Sequence, residues 1–156
     1  MNHIAISVPD LEAAIKFYTE ILGFVEVRPA SFTERAASPD ASIFKIYPAS
    51  LQSVKVAYLT TGNGCGIELF QFMAPRSGAD DNNNFERDYF KGGLFHYCVT
   101  IRNPTEMCEA IVKAGGRKIG DDVDLHSGNK AIYAADPWGN VIELLSCSFE
   151  RLMANR

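Results

Sequence analysis

Apolar residues alternate with polar or small ones at the start of the chain. Ile4, Ile6 and Val8 face one way and His3, Ala5 and Ser7 the other, which predicts a half-buried strand whose open face is headed by a histidine and continued by two small side chains. The period then changes. Leu11, Ala14, Ile15, Tyr18 and Leu22 recur at helical intervals, with Asp10 at the N-cap position and Gly23 as the stop. The same succession returns in "HYCVTIRNPTEMCEAIVKAGG". There His96, Cys98 and Thr100 share one strand face, and Tyr97, Val99 and Ile101 share the other. Asn103 caps a helix with Pro104 at its first position and Glu106 placed to close a capping box, and the helix runs through Met107, Ile111 and Ala114 to Gly115-Gly116. The two histidines stand 93 residues apart (96 − 3).

A second pair of segments also matches. "GIELFQF" and "NVIELLS" read as buried strands, each with Ile-Glu-Leu at its centre. Gly66, Glu68, Phe70 and Phe72 share a face in the first, and Val141, Glu143 and Leu145 in the second. A carboxylate among apolar neighbours on a strand is costly unless it is paired or bound to a metal. From histidine to glutamate the first copy spans 65 residues (68 − 3) and the second 47 (143 − 96). The difference falls in the Pro-punctuated segment from Pro29 to Ser53, read as an enlarged loop. "SVKVAYL" and "KAIYAAD" supply one more strand each, and "DPWGN" is a hairpin turn before Glu143. Each copy is thus strand–helix–strand–strand–strand. The expected modules are 1–74 and 94–156, the second with a C-terminal tail, joined by a polar linker over 75–93 within one structural domain. One helical turn is expected at Phe85–Tyr89, and Phe149, Leu152 and Met153 give the tail a helical spacing.

Composition narrows the partners. The chain has 156 residues, 47% hydrophobic and 22% charged, with a formal charge of −4, so no basic block exists to neutralise a nucleic acid's phosphates. No apolar run approaches a membrane span, and no signal segment opens the chain. Cys65, Cys98, Cys108 and Cys147 are scattered without metal-knuckle or C-x-x-C spacing, which suits free thiols in a reducing cytoplasm.

Two imidazoles and two carboxylates suit a divalent transition metal (Zn, Ni, Co, Mn or Fe(II)) rather than calcium, which prefers oxygen alone. The His-headed strands, the "VPDLEAAIKFYTEILGF" helix and "DPWGNVIELL" resemble the vicinal oxygen chelate superfamily of glyoxalases, bleomycin-resistance proteins and extradiol dioxygenases. The resemblance covers nearly the whole chain. It implies an α+β fold of two βαβββ modules whose curved mixed sheets form an open, barrel-like cup, with His3, Glu68, His96 and Glu143 as metal ligands. This ligand set is most similar to that of bacterial-type glyoxalase I. Two positions depart from that likeness. Ser7 stands where an arginine, and Phe72 where an asparagine, would contact glutathione, so a glutathione adduct is not the expected substrate.

The reaction expected from this set is isomerase- or lyase-type proton abstraction alpha to a carbonyl, on a small substrate that chelates the metal through adjacent oxygens. Glu143 or Glu68 would be the base. Phe70 and Phe72 would line an apolar wall of the pocket. His126, in "DDVDLHSGNK", is a candidate lid residue, and Lys130 a candidate partner for a substrate anion. Two alternatives stand beside this reading. One is a non-haem iron(II) ring-cleaving dioxygenase using His3, His96 and Glu143; the other is a non-enzymatic drug-binding protein. A C₂ homodimer is the default assembly.

Overall fold

In the computed structural model, residues 1–77 and 85–154 are described. The chain divides into two compact units, Met1–Asp80 and Asp81–Arg156. In the first unit β1 (His3–Ser7) leads through α1 (Leu11–Glu20) to β2 (Val25–Glu34), a short α2 (Ser42–Ile46), β3 (Ser53–Thr60) and β4 (Gly66–Ala74). The second opens with a helical turn, α3 (Phe85–Asp88), and then repeats the order: β5 (Tyr97–Thr100), α4 (Pro104–Lys113), β6 (Arg117–Asp124), β7 (Lys130–Ala135), β8 (Val141–Leu145) and a closing α5 (Phe149–Ala154). The sheets are β1-β4-β3-β2 and β5-β8-β7-β6. In each, the first and last strands of the module pair in parallel, and the other neighbours are antiparallel. These are two four-stranded mixed sheets of an α+β fold, and neither closes on itself.

The helix ends follow their caps. Asp10 Oδ1 accepts from Ala13 N at 3.1 Å, and Asn103 Oδ1 from Glu106 N at 3.3 Å with Pro104 in the first turn. Gly23 (φ 72°) and Gly115 (φ 92°) terminate the same helices in the left-handed region. Leu11, Ala14, Phe17 and Tyr18 form the buried stripe of α1, which packs on β3 and β4. Cys108 and Ile111 do the same for α4 against the second sheet.

Alternation leaves each sheet a second face. On the first sheet it carries Val54, Val56 and Phe70, buried with Phe44 of α2 and Leu51. On the second it carries Ala131 and Leu145, covered by Leu152 of α5, and Ile119, Ala135 and Val141, covered by Phe85. The C-terminal tail therefore docks on its own unit through Leu152, while Phe149 and Met153 stay exposed.

One element departs from the expected layout. The segment after Pro29 was expected to be loop, yet β2 continues through it to Glu34. β2 is an edge strand, where a missing N–H can face away from the ladder. The pairing with β3 slips on both sides of Arg28, between Glu26 and Arg28 and again before Ser31, which accommodates the proline.

Candidate functional site

Strand register builds the site. In the first sheet Ala5 of β1 opposes Glu68 of β4, which opposes Tyr58 of β3. In the second, Cys98 of β5 opposes Glu143 of β8, which opposes Tyr133 of β7. Each histidine stands two residues before the Ala5 or Cys98 position, on the same strand face as the glutamate.

These placements bring each histidine to its own glutamate. His3 Nε2 lies 3.7 Å from Glu68 Oε2, and His96 Nε2 lies 3.3 Å from Glu143 Oε2. Two neighbouring ligands at about 2.1 Å from one ion sit roughly 3.0–3.4 Å apart for octahedral to tetrahedral angles. The second pair falls in that range, and the first needs a shift of a few tenths of an ångström. His3 also has the outer support of a metal-binding histidine. Its Nδ1–H donates to Asn2 Oδ1 at 2.7 Å, which leaves the Nε2 lone pair turned towards the carboxylate. Two acceptors placed that way call for a cation or a proton between them. The donor set therefore fits a divalent transition metal. Neither unit by itself gathers three or more His, Cys, Asp or Glu side chains into a cation cluster among the described residues.

The two pairs differ in their surroundings. The His96 and Glu143 side chains are 24% and 20% exposed, against 48% and 26% for His3 and Glu68. His96 is gripped edge-on by Phe95 and Tyr133, with ring centroids at 4.6 and 5.2 Å. Its Nδ1 is buried without a partner among the described residues, a feature that costs about 1–3 kcal/mol. Tyr133 and Cys98 both hydrogen-bond to Glu143. Burial, with the carboxylate's charge, pushes the Tyr133 phenol up to about 12 and the Cys98 thiol likewise up to about 12, so both groups stay protonated donors at neutral pH.

Phe70 and Phe72 stack at 5.7 Å on the same face as Glu68. Tyr47 packs on both, and Phe44 covers Phe70, so they belong to the apolar cluster beneath α2. Ser7 Oγ contacts Ser77 Oγ at 3.4 Å, and Ser77 Oγ also accepts from Phe72 N. The structure does not bring His126 or Lys130 to Glu143. His126 Nε2 bonds the Leu152 carbonyl at 3.0 Å and ties the β6–β7 turn to α5. Lys130 is three residues from Tyr133 and so lies on the opposite sheet face, its amine 3.4 Å from Asp122 and 3.3 Å from Asp124.

Three contributors are absent from the sequence reading. Asn2 precedes the first strand and carries no pattern. Cys98 looks like a routine small strand residue. Tyr58 and Tyr133 did leave a signal, since each precedes its glutamate by ten residues (68 − 58 and 143 − 133), the spacing that places them opposite it across a hairpin.

Comparison with known proteins agrees with this architecture. Over 151 residues the chain is 27% identical to 2-epi-5-epi-valiolone epimerase from Actinomyces sp., covering 94% of this chain and 78% of that one. Mitochondrial methylmalonyl-CoA epimerase from Mus musculus is 23% identical over 147 residues, 92% of this chain and 71% of the other. Among solved structures, a glyoxalase family protein from Bacillus cereus superposes with a TM-score of 0.75 at 24% identity, over 93% of this chain and 91% of that one. Glyoxalase I from Zea mays gives 0.61 at 21% identity, over 95% of this chain but 44% of its own length. The model of one family matches residues 1–144, and the chain belongs to that family, the Glyoxalase/Bleomycin resistance protein/Dioxygenase superfamily.

Proposed function

We propose that this protein is a divalent-metal-dependent isomerase of the epimerase type, acting on a small substrate that carries an acidic C–H alpha to a carbonyl. The observation that carries the reading is the duplicated His–Glu pair, each pair set at the same register position of its sheet. The similarity to two epimerases over more than nine-tenths of the chain supports it. His3, Glu68, His96 and Glu143 are the ligands. When bound, the metal supplies Lewis-acid chemistry, polarising the substrate carbonyl so that the neighbouring C–H becomes acidic.

The chain's own residues do the remaining work. A glutamate carboxylate takes the proton, a contribution worth roughly 10²–10⁴-fold. Asn2 fixes the ring orientation of His3, and Tyr133 with Cys98 fixes Glu143. Ser7 and Phe72 are engaged with Ser77 and the α2 cluster and offer no cation or amide side chain to a glutathione arm. The substrate is therefore not glutathione-linked.

The test is solvent exchange. Metal-reconstituted protein is incubated in D₂O with 2-epi-5-epi-valiolone or methylmalonyl-CoA, the compounds named for the similar proteins, and proton NMR reads the carbon alpha to the carbonyl. Deuterium should enter at that carbon with one of the two, and Glu68→Gln together with Glu143→Gln should abolish it. Exchange no faster than with free metal alone, for both compounds, contradicts the reading.

A further inference from the structure

The two His–Glu pairs occupy equivalent register positions, but their neighbours across the sheet are not equivalent. Glu143 is flanked on both sides by hydrogen-bond donors. Cys98 reaches it from β5 and Tyr133 from β7, each the registered partner of Glu143. Tyr133 is itself immobilised. Its ring meets His96 edge-on at 5.2 Å and Phe85 at 5.9 Å, within a cluster that includes Ile119, Ala135 and Val141. One tyrosine thus touches both members of the pair, the imidazole with its ring and the carboxylate with its hydroxyl.

Around Glu68 the same places are filled differently. Ala5 stands where Cys98 would be and has no donor. Tyr58 stands where Tyr133 would be, but its ring carries the Arg28 guanidinium 4.1 Å from the centroid. Among the described residues Glu68 makes one polar side-chain contact, the 3.7 Å approach to His3, itself nearly half exposed. A carboxylate held by two donors loses both bonds when it turns, and one without them turns freely.

We infer that the two carboxylates divide the labour: Glu143 is the fixed ligand, held by Tyr133 and Cys98 as positioning residues, and Glu68 is the carboxylate that moves and takes the substrate's proton. This rests on the isomerase reading and assigns roles within it. The C–H bond alpha to the carbonyl breaks, its electron pair moves onto the carbonyl group, and the proton passes to a Glu68 Oε. Water then returns one proton to the opposite face of the carbon, and Glu68 releases its own to solvent. The balance requires no redox partner or leaving group.

The experiment measures Co²⁺ binding to metal-stripped protein by calorimetry, with the visible cobalt spectrum as a second readout. Tyr133→Phe should weaken binding about 10–100-fold, the effect of losing an outer-sphere partner, and should alter the spectrum. Tyr58→Phe should leave both unchanged. Cys98→Ala should weaken binding and Cys98→Ser, which retains a donor, should restore it; this pair tests the same carboxylate should Tyr133→Phe fail to fold. Glu143→Gln should cost more affinity than Glu68→Gln. Equal effects of Tyr58→Phe and Tyr133→Phe, in protein whose wild type binds cobalt, overturn the division of labour and leave the isomerase reading standing. A wild type that takes up no cobalt overturns both.

Discussion

Cys98 and Ala5 hold equivalent places beside a glutamate, one on β5 and one on β1, and the difference between a thiol and a methyl group changes what that glutamate can do. The thiol donates to Glu143, and the carboxylate's charge disfavours the thiolate. Cys98 is therefore a poor nucleophile although it is exposed, because the thiolate is the reactive form. In metal-free protein with the other three cysteines replaced by alanine, its alkylation by iodoacetamide should keep rising with pH towards about 12, where an ordinary cysteine levels off near 9. Glu143→Gln should move the midpoint down. A midpoint near 9 in the wild type would show that the thiol does not face the carboxylate.

At the scale of elements, the two sheets carry the site because every strand is pinned from its other face. Gly116, in the turn from α4 to β6, shows how tightly. A Cβ there would stand 2.4 Å from the Ala135 carbonyl oxygen and 2.6 Å from Ile111 Cγ2. The carbonyl is backbone next to the hairpin that delivers Glu143 and cannot yield cheaply. Gly116→Ala should cost about 1–3 kcal/mol and lower the urea midpoint at unchanged slope; an unchanged midpoint would mean that α4 rides loosely on its sheet. Much of this layer is legible in the sequence. Asp10 and Asn103 mark helix starts, Gly23 and Gly115 mark helix ends, and alternation places His3 and Glu68 on one face and His96 and Glu143 on another. What the pattern hides is tertiary. Pro29 reads as a loop residue because its strand is an edge with a slipped register, which only pairing reveals. Phe70 and Phe72 read as pocket wall because nothing local announces that α2 folds over them. Lys130 reads as a free cation until Asp122 and Asp124, on the paired strand, come beside it. Tyr133 is silent until hairpin register sets it opposite Glu143.

For the molecule as a whole, duplication explains why so few residues define the chemistry. One histidine and one glutamate per module, repeated with the same strand order, give four donors of the kind that divalent transition metals accept. The chain corresponds to 44% of the length of the Zea mays glyoxalase I it resembles in fold. Metal content, read by plasma mass spectrometry on untagged protein after exposure to Zn, Ni, Co, Mn and Fe(II) salts and removal of excess, is the most direct measurement. The account predicts about one tightly held divalent transition ion per chain, lost in both His3→Ala and His96→Ala, since metal affinity follows from the ligands present. A wild type that retains none of these ions, or a His96→Ala variant that retains the full amount, would contradict it.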